Sequence, residues 1–261
     1  MPTDDDSADG FMRLFDDIDR AFRLDAIHGR PGMDPRRRAL LTLAMVAAKC
    51  QAEAVPEHVR LCVRAGLGKT EIGEVLLQVY CYAGVYASLS GFTAARRALE
   101  RMEAAGELPP PLGQVGNRPA PARTVAERMA AGLRMRRQLF GDADVDRGLA
   151  QADPFTDLFW ETTLDFCFGN IWSRPAFDRQ LRSELCLAIA SATGQVGAVD
   201  RHVRSALRGG VSRGRIAEIF LLAYVYGGVY NSLESFRAAS SVFSEMAAGG
   251  AGPPSQGPCA S

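Results

Sequence analysis

Sliding the sequence over itself produces one long ungapped match, at an offset of 144 residues, the separation of His58 from His202. At this register Phe15 meets Phe159, Ile27 meets Ile171, and Arg30, Pro31, Asp34 and Arg38 meet Arg174, Pro175, Asp178 and Arg182. His58-Val59-Arg60 falls on His202-Val203-Arg204, and Gly66, Ile72 and Glu74 fall on Gly210, Ile216 and Glu218. Further on, Tyr80, Tyr82, Gly84, Val85, Tyr86, Ser88, Leu89 and Phe92 meet Tyr224, Tyr226, Gly228, Val229, Tyr230, Ser232, Leu233 and Phe236. Chance does not hold one register over about eighty positions, so one structural unit is present twice.

The Pro- and Gly-dense stretch GELPPPLGQVGNRPAPA lies between the copies, and GGAGPPSQGPCAS ends the chain. Such compositions read as a linker and a disordered tail. The expected division is a first repeat over 11–105, a linker over 106–120, a second repeat over 121–248 and a tail over 249–261.

Within each copy the apolar spacing is helical. Leu41, Ala44, Met45 and Ala48 recur at three- and four-residue steps, which predicts a core helix over 38–50 and its copy over 182–193. Asp34 before Pro35 reads as an N-cap with proline in the first turn, and Asp178 holds the same place. Gly66 and Gly210 predict helix stops, followed by helices over 70–82 and 214–226. Gly84 and Gly227-Gly228 then break the chain before last helices over 86–103 and 230–247. The second copy carries an extension, Arg123 to Asp146, predicted as one amphipathic helix ending at Gly141. No alternating pattern is long enough for a sheet. The expected fold is all-α, two tandem helical repeats related by a pseudo-two-fold.

Composition narrows the partners. Of 261 residues, 47% are hydrophobic, and 30 Lys plus Arg balance 30 Asp plus Glu. No overall field attracts nucleic acid or an anionic membrane, which leaves a small molecule or a protein. No apolar run nears the roughly 18 residues of a membrane span, and the acidic start is unlike a leader, so a cytoplasmic location is expected. The cysteines at 50, 62, 81, 167, 186 and 259 show neither zinc nor dithiol spacing and read as reduced, mostly buried thiols. The run Arg36-Arg37-Arg38, present once, reads as a solvated helix face.

The strings MRRQLFGDADVDRGLA, FGNIWSRPAFDRQLRSELCLAIA, HVRSALRGGVSRGRIAEIF and YGGVYNSLESF, in this order and spacing, resemble the 4-carboxymuconolactone decarboxylase family from about Glu127 to Met246. GRPGMDPRRRALLTLA, EHVRLCVRAGLGKTEIGEVL and YAGVYASLSGF carry a more divergent resemblance in the first half. The wider superfamily includes alkylhydroperoxidases with a cysteine pair seven and four residues before the equivalent histidine. Those places hold Gln51 and Ala54, or Gln195 and Ala198, which argues against thiol peroxidase chemistry. The resemblance implies decarboxylation of an unsaturated lactone acid without metal or organic cofactor, in helical ring assemblies. For a tandem chain, that means a trimer of chains or a smaller homo-oligomer.

Decarboxylation leaves an electron pair, and a conjugated carbonyl in the substrate can take it, so the protein need only hold, desolvate and protonate. His58 and His202 are the expected proton carriers. Arg30 and Arg174 are candidate carboxylate clamps, with a structural salt bridge to Asp34 or Asp178 as the alternative. Glu74 and Glu218 are candidates to orient or charge the histidines. Tyr82 and Tyr226 are candidate pocket residues, and Tyr86 and Tyr230 candidate acids, against aromatic packing between repeats.

Departures from the family pattern make the two pockets unequal. Tyr86 and Tyr230 replace a usual proline, the family's Asn-Asn-Gly is Arg64-Ala65-Gly66 or Arg208-Gly209-Gly210, and the tryptophan kept as Trp172 becomes His28 in the first copy. The pocket of His202, Trp172, Arg174 and Glu218 keeps more of the pattern. Three readings stand: a cofactor-independent lyase on a carboxylated lactone or unsaturated oxo-acid; an isomerase or cyclase of secondary metabolism using Tyr230 and His202; and a non-catalytic binding protein.

Overall fold

The computed structural model describes residues 4–108 and 124–250, so most of the expected linker and tail lies outside the described residues. Among the described residues every regular element is a helix. Helix α1 (Asp4–Asp19) runs on as a π-helical stretch, Arg20–His28, followed by α2 (Pro35–Ala48), α3 (Val55–Arg64), α4 (Lys69–Ala83) and α5 (Val85–Ala104). Then come α6 (Val125–Phe140) and α7 (Asp142–Ala150). Helix α8 (Pro154–Thr162) continues as a second π-helical stretch, Thr163–Trp172, and α9 (Arg179–Ala192), α10 (Val196–Arg208), α11 (Arg213–Gly227) and α12 (Val229–Gly250) complete the chain. The starts of α2, α4 and α5 recur at the 144-residue offset in α9, α11 and α12. Helices α6 and α7 have no counterpart in the first repeat among the described residues.

The local signals act as expected. Asp34 accepts the Arg37 backbone N–H at 2.9 Å, and Asp178 accepts that of Leu181 at 2.7 Å, so both core helices are capped by the aspartate of the RPxxD block. The breaks after α4 and α11 fall on Gly84 and Gly228, at φ 89° and 94°, a conformation that strongly favours glycine. The α4–α5 and α11–α12 hairpins are pinned alike, Ser88 Oγ donating to the Leu76 carbonyl and Ser232 Oγ to that of Phe220, each at 2.8 Å.

The two repeats share one hydrophobic core rather than holding one each. Helices α2 and α9 lie side by side at its centre, with Leu41, Leu43, Met45, Leu185, Leu187 and Ile189 fully buried. A smaller cluster of Leu139, Phe140, Val145, Phe168, Trp172 and Cys186 is added where α6 lies on the second π-helical stretch. That crossing is close because it is made at glycine: a Cβ on Gly132 would stand 2.0 Å from the Leu164 carbonyl oxygen, and one on Gly169 would stand 2.3 Å from that of Arg128.

The arginine run is not a solvated face. Arg38 is buried, its guanidinium donating to the carbonyls of Ile27, Arg30 and Met33, and thereby fixes the turn that enters α2. Arg37 reaches across to Glu184 of α9 at 2.6 Å, and only Arg36 lies on the surface. Helical periodicity places Arg38 on the buried side, but its charge hid that until the carbonyls it satisfies were visible. Among the described cysteines none is paired in a disulfide; Cys62 and Cys186 are buried, Cys81 and Cys167 partly so, and Cys50 is exposed.

Candidate active sites at the repeat interface

Each histidine is met by the tyrosine of the opposite repeat. His202, on α10, packs edge-to-face on Tyr82 from the end of α4, with ring centroids 5.4 Å apart. His58, on α3, packs in the same way on Tyr226 from the end of α11, at 5.2 Å. Two sites result, each completed by the other half of the chain.

The second site is the more aromatic. Trp172, at the end of its π-helical stretch, donates its indole N–H to the Tyr82 oxygen at 2.8 Å. Phe140 of α6 lies 6.4 Å from His202, and Cys167 Sγ stands 3.8 Å from the Tyr82 oxygen. An indole is a donor only, so Tyr82 accepts from it and keeps its own proton to give. Burial, reinforced by the thiols of Cys167 and Cys186, holds that phenol well above its usual range. Burial, helped by the Arg201 cation, pulls His202 down to about 4, so its imidazole is neutral at physiological pH. Its Nδ1 is buried with no protein partner.

The first site has the same frame with other atoms. His28 stands at the register of Trp172, and its Nε2 lies 2.9 Å from the Tyr226 hydroxyl. Because His58 Nδ1 faces the Ala54 carbonyl at 2.9 Å, it must be the protonated nitrogen, which leaves Nε2 as a buried lone pair without a partner. Burial lowers His58, and burial together with Arg38 and Arg23 lowers His28 to about 4. Tyr226 is pushed up to about 12, chiefly by burial, against the opposing pull of the Arg23 cation. Arg23 is itself held by Asp19 at 2.6 Å and Glu57 at 3.4 Å.

The remaining expected residues are placed otherwise. Arg30 grips Glu218 with Nε and Nη2, at 3.0 and 2.8 Å; Arg174 Nε meets Glu74 at 2.6 Å, and the fully buried Arg182 meets it at 3.0 Å. These pairs also cross between repeats, with Glu74 and Glu218 as partners rather than Asp34 and Asp178. Among the described residues no hydrogen bond joins Glu74 or Glu218 to a histidine. Tyr86 and Tyr230 stand on the surface, 81% and 78% exposed, whereas both histidines are buried. Phe140, Arg23 and Cys167 were not anticipated; the mismatch of Arg23 with Cys167 inside a well-matched register was the available signal. Among the described residues no three His, Cys, Asp or Glu side chains gather as a metal would require.

The model of the carboxymuconolactone decarboxylase family matches this chain twice, over residues 14–97 and 158–241, which covers more than half of it and repeats the 144-residue offset. The chain belongs to the carboxymuconolactone decarboxylase family. Its all-helical tandem architecture is that family's domain present twice. A 4-carboxymuconolactone decarboxylase of Acinetobacter baylyi (strain ATCC 33305 / BD413 / ADP1) is 28% identical over 120 residues, 46% of this chain and 90% of that protein. The nitrosuccinic acid decarboxylase npaB of Metarhizium robertsii (strain ARSEF 23 / ATCC MYA-3075) is 30% identical over 115 residues, 44% of this chain and 80% of that protein. Both relatives are named as decarboxylases, and each is matched by less than half of this carboxymuconolactone decarboxylase family member.

Proposed function

We propose that this protein is a decarboxylase that acts on a small carboxylic acid bearing a carbonyl, lactone or nitro group, at the site of His202, Tyr82 and Trp172, with the substrate serving as its own electron sink. The observation that carries the reading is a protonated phenol facing a neutral imidazole in an aromatic, desolvated setting. The carbon–carboxylate bond breaks and carbon dioxide leaves. The electron pair passes into the substrate's carbonyl, lactone or nitro group, and Tyr82 then delivers its proton to the carbon that lost the carboxylate. Trp172 Nε1–H steadies the phenolate until solvent restores the proton, and His202, in the tautomer that carries its proton on the unpartnered Nδ1, donates to the substrate oxygen that gains charge. Tyr86 and Tyr230 have no part in this chemistry within one chain.

We place the protein in the cytoplasm as a homo-oligomer of tandem chains, with repeats over 11–105 and 121–248 joined through 106–120. The assembly reading rests on Leu14, Phe15, Leu158 and Phe159, exposed apolar residues at matching positions of α1 and α8. Among the described residues no helix is long and apolar enough to cross a membrane.

The test is release of carbon dioxide from 4-carboxymuconolactone and from nitrosuccinate, the acids of the two named relatives, with chelator present. Turnover of at least one is expected, lost about a hundredfold in Tyr82→Phe without unfolding. Absence of carbon dioxide from both acids, or full activity in Tyr82→Phe, overturns the proposal; a product of unchanged mass points instead to an isomerase or cyclase.

A further inference from the structure

Among the described residues, two arginines near the second site, the buried Arg136 and the exposed Arg201, form no ion pair with a carboxylate. Arg136 of α6 is only 4% exposed, and its Nη1 is buried without a partner. Its guanidinium lies 3.9 Å from the centre of the Trp160 ring, a contact that gives Nη1 no hydrogen-bond acceptor. Arg201, next to His202 in sequence, stands over the Phe140 ring at 5.9 Å, and Phe140 follows Arg136 by one turn of α6 and lies 6.4 Å from His202. Of the nearby carboxylates, Asp144, whose charge also reaches Arg136, is bonded to Arg147 at 3.1 Å, and Asp200 is bonded to Arg204 at 3.0 Å. Burying an arginine with neither a carboxylate nor a set of carbonyls around it is costly.

The first repeat supplies the comparison. At the register of Arg201 stands Glu57, and at that of Cys167 stands Arg23, which Glu57 and Asp19 neutralise. There the cation and its carboxylates are both built into the protein. In the second site, among the described residues, no carboxylate forms an ion pair with either cation.

We infer that Arg136 and Arg201 form an anion subsite beside His202 and Tyr82, which binds a second carboxylate of the substrate, the one retained in the reaction. The first site, closed by Glu57, does not take such a ligand. The subsite extends the decarboxylase reading of the second site and limits its substrates to dianions, gripped at one end and decarboxylated at the other.

Calorimetric titration with succinate and with its monomethyl ester tests this on the full chain, since neither probe has a carboxylate activated for loss. The wild type is expected to bind succinate at least about tenfold more tightly than the ester. Arg201→Glu, which installs the first repeat's residue at an exposed position, is expected to erase this preference while the protein melts normally. Arg136→Gln is expected to do the same, and the affinity ratio separates a lost clamp from a general loss of packing. Succinate bound no better than the ester, bound by neither means, or preferred equally by wild type and Arg201→Glu overturns the subsite. A preference that survives where no acid is decarboxylated overturns the proposed reaction and leaves the subsite standing.

Discussion

Trp172 donates its indole N–H to the phenol oxygen of Tyr82 at 2.8 Å, a bond made between the two repeats at the edge of the His202 site. Its counterpart, His28 with Tyr226 at 2.9 Å, joins the halves in the opposite sense. Trp172→Phe keeps an aromatic ring and removes the donor, leaving the buried phenol oxygen short of a partner. A stability loss of about 1–3 kcal/mol is expected in denaturant unfolding, with a fall in kcat larger than any change in KM, because phenolate is stabilised only after proton transfer.

The ion pairs between the halves should be unequal in weight. Glu74 is buried and serves both Arg174 and the fully buried Arg182, so Glu74→Gln leaves Arg182 without its counter-charge. A loss of about 3–5 kcal/mol is expected for such a pair. Glu218→Gln faces only Arg30, whose side chain is 44% exposed, and should lower the melting temperature far less. Equal melting shifts for the two variants would contradict this ranking.

Acid should weaken the fold before most carboxylates titrate. His28 and His202 are depressed to about 4 and His58 is lowered as well, so between about 6.5 and 4 the unfolded chain binds protons that the folded chain refuses. Stability is therefore full above the unfolded histidine value and falls as pH drops towards 4, by up to about 1.4 kcal/mol per pH unit for each group. Unfolding free energies measured across this range should fall steadily, and His202→Gln should flatten the slope. An unchanged slope in that variant would mean His202 is not held neutral by burial.

Gly132→Ala tests whether α6 must approach the second π-helical stretch so closely. The added methyl would stand 2.0 Å from the Leu164 carbonyl oxygen, which is backbone and has little room to yield. A destabilisation of about 1–3 kcal/mol is expected. Because α6 brings Phe140 to His202, activity at the second site should fall with it, while the packing of His58 on Tyr226 is preserved. Wild-type stability in this variant would show that the crossing can relax.

The repeats, core helices, caps and glycine breaks were legible because each is a local matter of spacing or backbone conformation. Asp34, Asp178, Gly84 and Gly228 announce themselves within a few residues. Partners across the chain were not legible. Nothing near Glu74 signals that Arg174 and Arg182, about a hundred residues away, will enclose it, and a self-match at 144 does not reveal that tyrosines exchange sides. Tyr82 and Tyr226 were singled out as pocket residues, but the repeat did not say which histidine each would meet. The most informative positions lay where the register fails, as at Arg23 with Cys167, Glu57 with Arg201 and His28 with Trp172. In a duplicated frame, such mismatches mark where the surroundings of the two histidines are built from different residues.

The exchange of Tyr82 and Tyr226 bears on how such a chain can change over generations. In a dimer of identical subunits every substitution strikes both sites together, so a site cannot be altered without risking its twin. Here one half holds the phenol of a site and the other half holds its imidazole, yet the two copies are free to mutate apart. Descent by duplication thus gives one polypeptide a site to conserve and a site to spend.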